Sequence, residues 1–265
     1  MTVAGRSVMH RGKVYLEWTG RWLGLPVMFL LVVVFWQGLV VVQGYEAFIL
    51  PGPADVWQRL LEAAGEGILW QHMQATLLAA LGGFALALSF SLVLGYVLAA
   101  IPWLERALAP LLAASVAMPV IALAPLIMLW FGAGLTSKLL VAALTAFFPM
   151  LIGTIVALHG VPRELRDMAR ISGANRWQML RYVEFPLALP VLFGGVRTGL
   201  SLAIIGAVVG EFVSGRHGLG ALINIARSLF DTPLIFVCLL LLGLLALGAY
   251  LLSLGLERLL VQWEA

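Results

Sequence analysis

The chain contains six long runs of mostly apolar residues, which are separated by polar segments. A helix of about 20 residues crosses the hydrocarbon core of a bilayer, and each run is close to or above that length. The runs therefore predict membrane-spanning helices at about residues 25–42, 73–100, 107–130, 138–158, 187–213 and 233–254.

Composition excludes a soluble globule. Hydrophobic residues make up 62% of the 265 residues and charged residues only 11%, which leaves too little polar surface to cover a water-soluble fold. We therefore predict a cytoplasmic N-terminal segment at residues 1–24 and a single transmembrane domain at 25–265. A cleaved signal peptide is the competing interpretation of the first run, but the run is long and no small-x-small cleavage site follows it. The single cysteine, Cys238, rules out a disulfide framework.

Basic residues are distributed unevenly between the two sides of the predicted bundle. With a cytoplasmic N-terminus, that side holds four near the N-terminus, Arg106, five in residues 159–186 and Arg258, whereas the other side holds four. Positive charge favours the cytoplasmic side. This excess predicts that both termini are cytoplasmic and that residues 159–186 form a cytoplasmic loop between the fourth and fifth spans.

Residues 159–186 are the longest polar interruption of the chain, and their pattern predicts two short helices. Pro162 and Glu164 suit the first turn of a helix. Apolar residues then recur at i, i+3 and i+4, and the arginines fall on the other side of that helix. Gly173 predicts a left-handed end to the first helix, and Asn175 predicts a capped second helix that Pro186 closes. The arginines of the first helix are Arg163, Arg166 and Arg170.

This loop resembles the EAA loop of inner-membrane permeases in ATP-binding-cassette importers, whose pattern is E-A-A-x3-G-x9-I-x-L-P. The segment Asp167-Met168-Ala169, then Gly173, Val183 and Phe185-Pro186 follow that spacing. The departures are chemically mild: Asp for Glu, Met for Ala, Val for Ile and Phe for Leu. A basic connector that touches anionic lipid is the alternative.

The resemblance extends over most of the chain. The segments FILPGPADV, LAPLIMLWFGAGLTSKLL and GLGALI are similar to permeases for nitrate, alkanesulfonates and taurine. The tail DTPLIFVCLLLLGLLALGAY resembles members that serve thiamine-precursor pyrimidines or riboflavin. The resemblance implies an all-α, MetI-like fold of six transmembrane helices with a cytoplasmic coupling helix between the fourth and fifth.

The same resemblance implies a mechanism and partners. This subunit would catalyse nothing, bind no cofactor and form the translocation path with a second permease copy in the bacterial inner membrane. A cytoplasmic ATPase dimer would hold ATP and Mg²⁺, and a periplasmic or lipid-anchored binding protein would deliver the solute. The docking contacts that the resemblance implies are Glu164, Asp167, Met168, Ala169 and Gly173, with Arg163, Arg166 and Arg170 close by.

Some residues within the predicted spans are candidates for the translocation path. Pro119 and Pro125, with Pro110, predict an irregular third span that either lines the path or only shapes the bundle. Arg197 and Glu211 are charges that either contact solute or lie at the two membrane surfaces.

Four glycines of the fifth span share one helix face, because they are spaced 4, 7 and 4 residues apart. Such a stripe favours close helix packing over a role in solute passage. The glycines are Gly195, Gly199, Gly206 and Gly210.

Other functional classes are less well supported. The segment GAGLTSK lacks the glycine beside the lysine of a phosphate-binding loop, so energy must come from a partner or an ion gradient. A secondary transporter or channel, the alternative function, needs ionisable groups near the midplane that these spans mostly lack. An intramembrane hydrolase built on Ser214 and His217 would have no third group. The scattered histidines predict no metal site, and nothing indicates nucleic-acid binding.

Overall fold

The computed structural model describes residues 26–117, 119–214 and 216–261. The predicted N-terminal segment, residues 1–24, and the first residue of the predicted first span lie outside this part of the chain. Within it the regular elements are all helical. They are α1 Pro26–Gln43, α2 Pro53–Gly65, α3 Ile68–Ala100, α4 Pro102–Ala117, α5 Val120–Phe131, α6 Leu135–His159, α7 Arg163–Ile171, α8 Arg176–Met179, a π-helical segment Leu180–Glu184, α9 Phe185–Ser214, α10 Leu219–Ser228 and α11 Thr232–Leu260.

Five helices of the described chain are long and apolar enough to cross a membrane. These are α1, α3, α6, the continuous helix Arg176–Ser214 and α11. Helices α4 and α5 make a sixth crossing if they are taken as one broken span, since the axes of Pro102–Ser115 and Val120–Phe131 differ by 95°. Pro119 is the N-cap of α5, so the break falls where the prolines predict an irregular helix.

Helices α3 and α6 pack side by side and run in the same direction. A Cβ added at Gly83 would lie 2.5 Å from the Cβ of Ala142, and one at Gly95 would lie 2.6 Å from Cγ2 of Thr154. Two parallel helices that follow one another require the chain to return between them. Helices α4 and α5 make that return, which places them together as one bent crossing.

Helix α9 packs against α6 in the opposite direction. A Cβ at Gly206 would lie 2.7 Å from Cα of Ala142, and one at Gly210 would lie 3.1 Å from Cα of Lys138. Gly199 faces Met150, and Gly195 faces Gly153 across the same seam. Small residues let helix backbones approach closely in membranes. The glycine stripe of α9 therefore lies against α6 within this chain.

The parallel arrangement of α3 and α6 gives the bundle two distinct ends. Ala100, His159 and α7 lie at one end, which we call the loop end, and the starts of α3 and α6 lie at the opposite end. Helix α1 runs against α11, because Trp36 stacks on Phe236 with ring centroids 5.3 Å apart. After α1 the chain reaches the opposite end, where the Thr232 hydroxyl donates a hydrogen bond to the carbonyl of Phe48.

Pro186 does not close the second short helix of the loop, so that prediction is wrong. The chain stays helical from Arg176 to Ser214 and passes through the π-helical segment directly before α9. Proline lacks an N–H and crowds the preceding turn of an α-helix. The wider π-helical turn accommodates both defects at Pro186, so the helix continues.

Candidate functional site

The loop between the fourth and fifth predicted spans folds into α7 and α8, as its pattern predicts. Gly173 has φ +81°, which confirms the predicted left-handed end of α7. The N–H of Ala174 donates to the carbonyl of Ala169 at 3.0 Å and closes that end. Asn175 and Gln178 exchange side-chain and backbone hydrogen bonds of 2.8 Å, so Asn175 caps α8 as predicted.

Helix α7 presents most of its residues to the surroundings, and none is buried. Met168 is 61% exposed and Ile171 is 89% exposed. Two apolar side chains, three residues apart, are therefore exposed on a charged helix outside the spans. The other exposed residues among the predicted docking contacts are Arg163, Glu164, Asp167, Arg170 and Gly173, whereas Ala169 is half-buried.

Arg166 differs from its neighbours, because its side chain turns inward. Its Nη2 donates a hydrogen bond of 2.6 Å to the carbonyl of Leu158, near the end of α6. Its Nε lies 3.1 Å from Oε1 of Glu184, the last residue of the π-helical segment. Sequence reasoning missed Glu184, because a separation of 18 residues across a turn gives no helical spacing to detect.

A cleft of about 890 Å³ separates α7 and α8 from the ends of α3 and α6. Arginine side chains form much of its polar wall, and Ala100 and Leu158 form part of its apolar wall. The loop end of the bundle is therefore concave and basic. The arginines are Arg166, Arg170 and Arg176.

At the opposite end, Glu211 is completely buried. Its Oε2 accepts hydrogen bonds from the hydroxyl of Thr76 at 3.0 Å and from the N–H of Gly220 at 2.9 Å. Its Oε1 has no hydrogen-bond partner. The Glu211 carboxyl fills the space that a Cβ at Gly218 would need, and Gly218 has φ +116°. The glycines of this loop therefore let the backbone close over a buried carboxyl group.

Further polar contacts hold the same loop. Nδ1 of His72 lies 2.7 Å from the carbonyl of Gly218, and the hydroxyl of Thr76 accepts from the N–H of Leu219 at 2.8 Å. Lys138 donates from Nζ to the carbonyl of His217 at 2.6 Å. Glu211 was a candidate from the sequence, but these partners come from α3 and α6, and no sequence pattern links them to this loop.

An ion pair outside the spans fixes α2 to the start of α11. Nε of Arg59 donates to Oδ2 of Asp231 at 2.8 Å. This hydrogen bond raises the pKa of the Arg59 guanidinium, so its charge persists. Asp231 also caps α11, because its Oδ1 accepts from the N–H of Leu234 at 3.0 Å.

The four predicted path residues are not gathered into one site. Arg197 pairs with Glu257 of α11 and lies 6.0 Å from the ring centroid of Tyr250. Glu211 lies 14 residues further along α9, which is about 21 Å of helix. Pro119, the N-cap of α5, and Pro125, within α5, are both exposed.

Comparison with known proteins decides the family. Residues 91–264 match the family described as "Binding-protein-dependent transport system inner membrane component". The chain belongs to this family of ABC importer permeases. It is therefore a multi-pass membrane subunit that does not itself hydrolyse ATP. Permeases of this family work with a separate ATPase and a solute-binding protein, as the sequence resemblance implies.

Individual relatives agree with this assignment. The riboflavin transport system permease protein RibX of Chloroflexus aurantiacus is 68% identical over 249 residues, which cover 94% of this chain and 92% of that protein. The formylaminopyrimidine transport permease protein ThiX of Halalkalibacterium halodurans is 33% identical over 90% of this chain and 94% of that protein. The taurine transport system permease protein TauC of Escherichia coli is 30% identical over the whole of this chain and 98% of that protein.

The fold is also shared with a solved transporter. A chain from an inward-facing structure of the MetNI methionine ABC transporter aligns with a TM-score of 0.60 and 22% identity. The alignment covers 73% of this permease and 94% of that chain. The predicted all-α, MetI-like permease fold is thus confirmed.

Proposed function

We propose that this permease forms the membrane pathway of an importer for riboflavin or a closely related flavin. The observation that carries this proposal is the 68% identity with the riboflavin permease RibX, which extends over 94% of this chain. The C-terminal segment at residues 231–250 supports it, because its sequence resembles members for thiamine precursors or riboflavin. Sulfonate and taurine permeases are more distant relatives.

Helix α7 is the segment that docks on the ATPase in this proposal. Its exposed Met168 and Ile171 offer apolar contact area, and the charged Asp167 and Arg170 flank them. Gly173 ends the helix sharply, so that α8 turns back towards the bundle. The neighbouring basic cleft leaves room for a partner surface to approach.

The complete importer contains two permease copies, a cytoplasmic ATPase dimer that binds ATP and Mg²⁺, and a binding protein at the opposite end. The loop end then faces the cytoplasm of a bacterial cell, and both termini lie on that side. The excess of basic residues at the loop end supports this orientation.

A transport assay tests the solute. The permease is produced with the ATPase and binding protein encoded by its source organism, in a bacterium that requires riboflavin and cannot import it. We expect growth at limiting riboflavin and saturable uptake of labelled riboflavin that stops when the ATPase is inactivated. Uptake of taurine or formylaminopyrimidine without uptake of riboflavin would contradict the flavin assignment.

Purification in mild detergent tests the docking helix separately. We expect an ATPase with a nucleotide-binding loop to copurify, and its retention to fall when Ala169 and Gly173 are changed to bulky residues. Changing exposed residues at the opposite end, such as Leu229→Ser, serves as the control and leaves retention unchanged. An ATPase that stays bound to the Ala169 and Gly173 variants would contradict the docking role of α7.

A further inference from the structure

Helix α7 has few attachments to the bundle apart from the chain itself. No residue of α7 is buried, and its ion pair between Arg170 and Asp167 is internal and exposed. Val161, which precedes the helix, packs in an apolar cluster with Ala157 and Ala188. A docking helix that moves with an ATPase needs a firmer connection than this if its motion is to reach the spans.

Arg166 supplies such a connection at the end of α6. The carbonyl of Leu158 would normally accept a hydrogen bond from the N–H four residues on, but that residue is Pro162 and has none. The N–H of Val161 reaches this carbonyl only at 3.3 Å. Arg166 donates to it at 2.6 Å and so takes the place of the missing helical donor.

The same guanidinium also reaches the π-helical segment that leads into α9. Its Nε is 3.1 Å from the carboxylate of Glu184, and the two side chains are 22% and 17% exposed. Glu184 ends the π-helical segment, and α9 follows without a break. Such segments occur frequently at functional sites. One side chain on α7 thus contacts α6 and the π-helical segment that leads directly into α9.

Arginine suits this position because Nη2 of its planar guanidinium donates a hydrogen bond while Nε lies at ion-pair distance from a carboxylate, although Nε makes no hydrogen bond of its own. One edge points to the Leu158 carbonyl and another faces Glu184. A lysine ammonium at the end of a flexible chain makes one contact well but does not hold both groups in a fixed geometry. Arg181 belongs to the same loop, is exposed and is not among the predicted docking contacts, so it provides a matched control.

From this geometry we propose that Arg166 is a positioning residue that transmits movement of the coupling helix to α6 and α9. The inference rests on the proposed docking of α7 on an ATPase. In this proposal Arg166 connects α7 to the membrane bundle through its contacts with Leu158 and Glu184, and it does not contact the ATPase.

The test separates ATPase binding from transmission and needs no transported solute. A spin label is placed at Leu229→Cys, an exposed site at the opposite end, in a Cys238→Ala background. Distances between labels on the two permease copies are measured in the assembled importer, with and without ATP and vanadate. Retention of the ATPase is measured on the same samples, and monodisperse elution reports folding.

We expect ATP and vanadate to change the label distance in the otherwise unaltered protein. In Arg166→Gln and Glu184→Ala, ATPase retention stays within about twofold, and the population with the changed distance falls by about tenfold. Arg166→Lys gives an intermediate loss. Exchanging the charges, Arg166→Glu with Glu184→Arg, restores only part of the change, because a glutamate cannot donate to the Leu158 carbonyl.

Each contrary outcome has a distinct meaning. A full distance change in Arg166→Gln, or an equal loss in Arg181→Gln, would overturn the positioning role and leave the docking role intact. If ATPase retention falls as much in Arg166→Gln as it does when Gly173 is changed to a bulky residue, Arg166 is a docking contact. If the unaltered permease retains no ATPase, the proposed coupling function fails, and the positioning role fails with it.

Discussion

Replacing Glu211 by alanine tests whether the buried carboxyl group holds the opposite end of the bundle together. The substitution removes the acceptor of two hydrogen bonds, from the hydroxyl of Thr76 and the N–H of Gly220. The Thr76 hydroxyl also lies 3.2 Å from the carbonyl of His72 and keeps that acceptor. The N–H of Gly220 has no such alternative among the contacts of the described chain.

The size of the effect follows from these contacts. A buried donor without an acceptor costs about 1–3 kcal/mol. Removal of the carboxyl atoms beneath Gly218 leaves a small cavity, which adds about 1 kcal/mol. The alanine variant no longer has to bury a carboxyl group whose Oε1 lacks a hydrogen-bond partner, and this gain in stability offsets part of the loss. We expect a net loss of about 2 kcal/mol in the free energy of unfolding, which corresponds to roughly 4–8 °C in melting temperature for a chain of this size.

Thermal unfolding of the purified permease in detergent measures this loss. In Glu211→Gln the amide oxygen still accepts from Gly220, so we expect a decrease below about 3 °C. Glu62→Ala is the control at the same end of the bundle. Glu62 is half exposed and lies 3.5 Å from Arg59, and such surface pairs contribute about 0.5 kcal/mol.

Two results would refute the reasoning. If Glu211→Ala has the same melting temperature as the Glu62→Ala control, the carboxyl group does not hold the loop. A glutamine variant as unstable as the alanine variant would show that charge matters rather than the acceptor. If Glu211→Ala keeps full stability but loses uptake, Glu211 acts in the translocation path instead.

Three further predictions follow from backbone positions. Gly206→Val should lower the melting temperature by several degrees, because a Cβ there would lie 2.7 Å from an α6 backbone carbon, and overpacking costs about 1–3 kcal/mol. The control Gly243→Val, at an open position, should melt at the same temperature as the unaltered protein. Equal stability of both variants would exclude a close α6–α9 contact. Gly173→Val should abolish uptake while the protein stays in the membrane, since a branched residue is strained at φ +81°, and normal uptake would contradict the coupling role. Topology reporters at Ser172 and Gly218 should report opposite sides of the membrane, because they lie at opposite ends of the bundle, and matching signals would rule out this arrangement.

Local sequence features predicted the helices and the ends of the loop helices. Hydropathy over about 20 residues is a property of consecutive residues, so it located the spans without any tertiary information. The helices nevertheless extend beyond several predicted bounds, as α3 and α11 do, because polar residues near a membrane surface continue a helix that hydropathy alone ends. Gly173 and Asn175 were also predictable, because a left-handed residue and a cap act within a few residues of themselves.

Proline at position 186 shows where a local rule fails. A proline after a short polar helix predicts an end, yet the helix continues because the π-helical turn before it accommodates the ring. That turn depends on how α8 and α9 are held against the bundle, and no single sequence window contains this information.

The sequence by itself determined that this chain consists of apolar membrane-spanning helices with a polar loop of two short helices, because hydropathy, helix caps and left-handed residues depend on neighbouring residues. Only the tertiary structure decided which charges meet. Arg166 meets Glu184, Arg197 meets Glu257, and Thr76 donates to Glu211 across 135 positions of the chain. These partners are set by the register in which α3, α6, α9 and α11 pack. That register depends on the fit of small residues between helices, because an apolar helix face is as compatible with lipid as with another helix.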